Sequence, residues 1–122
     1  MTVRWPRMTQ RHYSARLLHV ALVGGKRRGS KQLCDETVVV FRAADHAGAF
    51  RQALKYGRSA EHEYRNQYRQ IVRWAFVEVV AMKELGDTLD GAEVSSRLHD
   101  RVFPRASLRK RFYPERSKPQ WS

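Results

Sequence analysis

The sequence predicts an α+β domain of order β-β-α-β-β: a four-stranded, mainly antiparallel sheet with one amphipathic helix on one face. Three observations carry that prediction. Runs with strand character, bounded by turn residues, recur at about 13–23, 37–41, 71–82 and 93–98: the middle two are rich in β-branched residues, and the last alternates like an edge strand. A single stretch, about 45–62, switches to helical spacing. A chain of 122 residues has room for one ordinary domain and not for two.

The first strand holds Tyr13, Leu17, Leu18, Val20 and Val23 and stops at Gly24-Gly25, with Gly29-Ser30 closing the loop that follows. Thr37-Val38-Val39-Val40-Phe41 is the second strand, hairpin-paired with the first. Asp45 has the chemistry of an N-cap. Behind it Ala47, Phe50, Leu54 and Gly57 fall at spacings of three and four, opposite Arg51, Gln52, Lys55 and Arg58, as on an amphipathic helix. Residues 64–70 read as a polar linker.

The third strand, 71–82, is the longest. One face carries Val72, Trp74, Phe76, Val80 and Met82, interrupted by Glu78; the other carries Ile71, Ala75, Val77, Val79 and Ala81, interrupted by Arg73. Both faces therefore read as buried, and one helix covers only one of them. A homodimer face, a partner protein or folded-back termini would cover the second. Asp87-Thr88-Leu89-Asp90-Gly91 is turn chemistry, with Asp90-Gly91 a hairpin signal, and 93–98 alternates like an edge strand. The expected organisation is a basic N-terminal arm (1–11), one domain (12–100) and a basic C-terminal tail (101–122), extended or partly disordered. Phe103, Leu108, Phe112, Tyr113 and Trp121 are the tail residues able to pin parts of it down.

The net charge is +12, from 24 Lys and Arg against 12 Asp and Glu. Its layout matters more than its size. Residues 1–33 carry eight basic residues and no acid, 101–122 carry seven against Glu115, and 34–100 carry nine against eleven, so the three parts hold +8, +6 and −2. The positive field belongs to the two ends and to the Lys26-Arg27-Arg28 loop, not to a basic helix in the fold. Lys26, Arg27, Arg28, Arg109, Lys110 and Arg111 are accordingly the candidate residues for an anionic ligand, nucleic acid included.

Other classes are set aside. No run approaches the roughly 20 apolar residues of a membrane span, and the apolar run after the basic start is broken by Arg16 and His19. Cys34 is the only cysteine, which excludes an intrachain disulfide and makes a reducing cytoplasm the expected location. The histidines at 12, 19, 46, 62 and 99 are scattered without ligand spacing, so no metal and no cofactor is expected. Gly24-Gly25-Lys26 lacks the remainder of a phosphate-loop pattern and reads as a hairpin. Acidic neighbours Asp35 and Glu36 are expected to raise the Cys34 pKa, against a nucleophile.

Glu78 and Arg73 interrupt opposite apolar faces, and a buried charge is costly unless paired. Glu78 is expected to pair with Arg16, Arg42 or Arg97 as a structural salt bridge. A Glu78, Arg73 and His19 group performing acid–base work is the enzymatic alternative.

An ordered set of short matches carries a resemblance. Tyr13-Ser14-Ala15-Arg16-Leu17 is followed by Phe41-Arg42-Ala43 before Ala49-Phe50, then by Tyr64-Arg65-Asn66. Trp74-Ala75-Phe76-Val77-Glu78-Val79, Glu84-Leu85 and Gly91-Ala92-Glu93-Val94-Ser95-Ser96-Arg97 complete the set. Over about 13–98 the chain resembles a family of small, mainly bacterial proteins catalogued as domain of unknown function 4288. The resemblance implies a small α+β domain and no established activity. The basic hairpin loop and Arg51, Lys55 and Arg58 on the helix depart from the more acidic family pattern.

Together these observations predict a non-enzymatic binding module. Its apolar sheet face would serve self-association, as a homodimer, or a protein partner, and its basic ends would hold an anionic ligand. Direct RNA or DNA binding through the ends and the 26–28 loop is one alternative, and a small enzyme with a Glu/Arg/His site is the other.

Overall fold

A computed structural model of the chain describes residues 10–24, 31–87, 96–101, 103 and 112–122, with backbone alone for 96–99. Strand β1 (Arg11–Val23) is central and runs antiparallel between β2 (Gln32–Ala43) and β4 (Ile71–Gly86). Outside these lie β3 (His62–Arg65) against β4 and β5 (Ser96–Arg101) against β2, so the order is β3-β4-β1-β2-β5. Helix α1 (His46–Ser59) joins β2 to β3 across one face. A 3-10 turn (Pro114–Arg116) and β6 (Gln120–Trp121) then bring the C-terminus back to β4, where β6 pairs in parallel at Ala81 and Met82.

The α+β class and the order of the long elements are as the sequence predicts, with two short strands added. The first, β3, occupies the start of the expected polar linker. All four of its residues are exposed, so no alternation marks it as a strand. What makes it one is the turn at 66–70. The Asn66 carboxamide oxygen accepts from the Tyr68 and Gln70 backbone N–H groups at 2.9 and 3.0 Å, and Arg69 takes a left-handed φ of 62°. That turn folds β3 onto β4 as a hairpin. The hairpin signal at Asp90-Gly91 lies outside the described residues, but its flanking strands are not paired: β5 joins β2 at the far edge, because β1 and β3 already occupy the sides of β4.

Helix α1 starts where Asp45 places it, the Oδ1 accepting from the Gly48 N–H at 2.7 Å. It buries a stripe of small residues, Ala49, Ala53 and Gly57, flanked by half-buried Phe50 and Leu54. Small residues at the contact let the helix lie close to the sheet. A Cβ built on Gly57 would come within 2.2 Å of the Phe76 ring.

The apparent burial of both faces of β4 has a geometric cause. The β1–β4 register slips between Arg16 and Leu17 and again between Leu18 and His19, leaving Val80 and Val77 as extra residues on β4. These bulges shift the alternation, so that Phe76, Val79 and Met82 share the helix-side core while Ala75, Val77 and Val80 share the other. A strict period of two cannot assign these faces.

The second face is covered by the chain itself. Phe103 is buried there with Leu18, Val20, Cys34 and Ala75, and Phe112 packs against the same group. Folded-back C-terminal residues are therefore the covering observed. Trp121 meanwhile joins the helix-side core, stacked on His46 at 4.0 Å and edge-on to Tyr13. The same segment closes the outer edge of β4: Ser117 Oγ accepts from the Val79 N–H at 2.9 Å, and the Ser122 N–H donates to the Met82 carbonyl. Glu61, just before β3, accepts from the Phe76 N–H at 3.1 Å. An open edge would be a template for another chain, and side chains and β6 satisfy it here.

Candidate functional site

The helix is too short to cover the sheet. Fourteen helical residues span about 21 Å, against about 44 Å for a strand as long as β1. Beyond the last turn of α1 the sheet is left open, and there a cleft of about 380 Å³ forms. Alternate residues of two strands make its floor: Leu17 and His19 from β1, and Asp35, Thr37 and Val39 from β2. Tyr56 and Ala60 at the helix end form one wall, and His62 and Trp74, paired in register on β3 and β4, form the other.

The polar groups in the cleft are held in place. His19 is 4% exposed, its Nε2 donates to the Gly57 carbonyl at 2.8 Å, and its ring stacks on Phe76 with centroids 5.2 Å apart. A carbonyl only accepts, so Nε2 carries the proton and Nδ1 is an acceptor in the neutral ring. His62 has the converse arrangement: Nδ1 donates to the Ala60 carbonyl at 3.0 Å, leaving Nε2 as the acceptor. Thr37 Oγ1 donates to Asp35 Oδ2 at 3.1 Å, and Asp35 lies opposite His19 in the β1–β2 register. Tyr56 rests on Phe41, ring centroids 5.6 Å apart, and His62 stacks between Tyr64 and Trp74 at 5.8 and 6.4 Å.

Those residues singled out from the sequence that the structure describes are not brought together. Lys26, Arg27, Arg28, Arg109, Lys110 and Arg111 lie outside the described residues. Arg16 is half-buried on β1 opposite Val38 and Ala81, and Arg73 is exposed on β4 opposite Glu63 and Leu22, so the expected burial of Arg73 does not occur. Among the described side chains Glu78 meets Arg101, not Arg16 or Arg42, at 3.8 Å, with the two side chains 41% and 51% exposed; the side chain of Arg97, the third expected partner, lies outside the described residues. Such a pair contributes about 0–1 kcal/mol. Arg42 instead donates from Nε to His12 Nε2 at 3.2 Å. Of the Glu78, Arg73 and His19 group, His19 alone lines the cleft. Among the described residues no set of three or more His, Cys, Asp or Glu is arranged to hold a metal, and no helix is long and apolar enough to cross a membrane.

Asp35, Thr37, Tyr56, His62 and Trp74 were not legible as a group from the sequence. One signal for part of it exists: pairing the first two sequence-predicted strands as a hairpin brings residues near 19 opposite residues near 35, and the observed register sets His19 opposite Asp35. Cys34, next to Asp35, is fully buried in the other core, its Sγ 3.7 Å from the Gln32 carbonyl. Burial is the main cause pushing the Cys34 thiol up, with Arg101 opposing and Asp100 and Glu36 adding to it, so the acidic neighbours are a minor contributor. Alkylation of Cys34 by iodoacetamide at neutral pH is expected to be about 100-fold slower in the folded chain than in denaturant. Equal rates would contradict this burial.

Comparison with curated proteins finds no match, and comparison with solved structures finds none. A family profile does match, over residues 12–96, a span that includes every residue lining the cleft. The chain belongs to the family described as Domain of unknown function (DUF4288).

Proposed function

We propose that the protein is a non-catalytic binding module that receives a small ligand, or one side chain of a partner, in the cleft at the end of α1. The observation that carries this reading is the preformed cleft itself. Its volume lies in the range of small-molecule sites, and a few fixed polar groups converge on an otherwise apolar and aromatic lining. The second apolar face is a poorer docking surface, since Phe103 and Phe112 of the same chain pack on it. The test is a fragment mixture titrated into the ¹⁵N-labelled full chain. Shifts concentrated on Thr37, Ala60, His62 and the Trp74 indole support the cleft, and shifts scattered over the surface contradict it.

The charge layout favours a second reading for the basic ends, that they hold an anionic partner such as RNA or DNA. The excess of +8 and +6 in the first 33 and last 22 residues supports it. Micromolar binding to mixed-sequence RNA or duplex DNA, measured by fluorescence anisotropy, should fall steeply with salt. It should also be lost when Lys26, Arg27, Arg28, Arg109, Lys110 and Arg111 are replaced by glutamine. Binding indifferent to both would contradict the reading.

A further inference from the structure

We infer that the cleft is built for a guanidinium group, a conclusion that rests on the cleft being a binding site and names its ligand class. Four features of the cleft converge on a planar cation. The first is its acceptor content. In their neutral forms His19 and His62 each give one ring N–H to a backbone carbonyl and keep the other nitrogen as an acceptor, and the Asp35 carboxylate is an acceptor only. A ligand matching this lining must bring donors.

The second feature is the position of the helix. Tyr56 and Ala60 belong to the C-terminal turn of α1 and its cap, so the negative end of the helix dipole adjoins the cleft. The third is the aromatic wall. Trp74 and Tyr56 contribute aromatic rings to the lining, and cations are attracted to the faces of such rings. The fourth is Asp35, which supplies the formal negative charge. A guanidinium satisfies all four at once, because it is planar, stacks on aromatic faces, offers five donors in a fixed fork and pairs with carboxylates through two parallel bonds. An ammonium is a compact, strongly hydrated point charge and uses the ring walls less well.

The experiment uses the ¹⁵N-labelled full chain and four probes: the tripeptide Gly-Arg-Gly, its neutral citrulline isostere, Gly-Lys-Gly, and agmatine as a free guanidinium. Gly-Arg-Gly and agmatine are expected to shift the Trp74 indole and the Thr37 and Ala60 amides saturably, with the citrulline peptide about tenfold weaker or more. Gly-Lys-Gly is expected to fall between them. Asp35→Asn should weaken Gly-Arg-Gly about tenfold, and Trp74→Leu, which keeps an apolar side chain on β4, should weaken it severalfold. Equal affinity for agmatine and peptide would assign a free small molecule as the source, and tighter peptide binding an arginine within a chain; both support the guanidinium. Arginine and citrulline peptides of equal affinity, or no change on Asp35→Asn, would overturn it. If neutral or anionic fragments shift the cleft while guanidinium probes do not, the binding site stands and the ligand class falls. If no probe moves these residues, both fall.

Discussion

Replacing Gly57 by alanine is expected to lower stability by about 1–3 kcal/mol, the usual range for an overpacked contact. Two effects compete. Alanine is about 1 kcal/mol better than glycine in a helix interior, whereas the added methyl would lie 2.2 Å from two atoms of the Phe76 ring and 2.6 Å from a third. The ring has little room to retreat, because its other neighbour is His19, stacked on it and bonded to the Gly57 carbonyl. Relief therefore requires α1 to lift from the sheet, and the steric cost wins. The melting temperature should fall by several degrees. Since Tyr56 and Ala60 move with the helix end, ligand-induced shifts in the cleft should weaken in the same variant. Adding Phe76→Leu should recover part of the stability, as contacting residues are not additive. An unchanged or raised melting temperature for Gly57→Ala would show that the helix does not approach β4 so closely.

Ending the chain after residue 111 is expected to cost about 3 kcal/mol or more and to make the protein self-associate. The loss has identifiable parts. Trp121 leaves the contact with Tyr13 and His46, buried Pro114 and half-buried Phe112 leave their packing sites, and Glu115 leaves its ion pair with Arg58. The Val79 N–H and the Met82 carbonyl lose Ser117 and Ser122 as partners, which reopens the edge of β4 to another strand. Thermal unfolding and light scattering of the shortened chain check both effects. A shortened chain that melts at the same temperature and scatters light as the full chain does would mean the C-terminal return is not part of the fold.

The long elements were legible because each carries its own local signal. Thr37 to Phe41 is β-branched and aromatic, and Asp45 followed by residues at spacings of three and four marks a capped amphipathic helix, as observed at His46–Ser59. The rest depended on information that is not local. Strand β3 has four exposed residues and becomes a strand only because the Asn66 turn presents it to β4. The faces of β4 depended on bulges at Val77 and Val80, which alternation cannot reveal. Arg73 and Glu78, singled out as buried charges on that premise, stand exposed and half-buried instead. The cleft was hidden for a related reason. Its lining comes from four strands and one helix end, so it exists only once strand order and register are known. The ends were legible in charge, and their C-terminal part proved structural as well, through Phe103, Phe112 and Trp121.

The central claim is that ligand binding occurs in the cleft beside the end of α1. Filling the cleft tests it most directly. Ala60 is exposed, caps the helix in an ordinary right-handed conformation and lines the cleft, so Ala60→Phe adds a ring to that space without touching either core. The measurement is ligand titration of this variant beside the parent chain, following the Trp74 indole and the Thr37 amide. The account predicts an unchanged melting temperature, within about 2 °C, and loss of saturable shifts. Undiminished binding in a chain whose cleft is filled would contradict it.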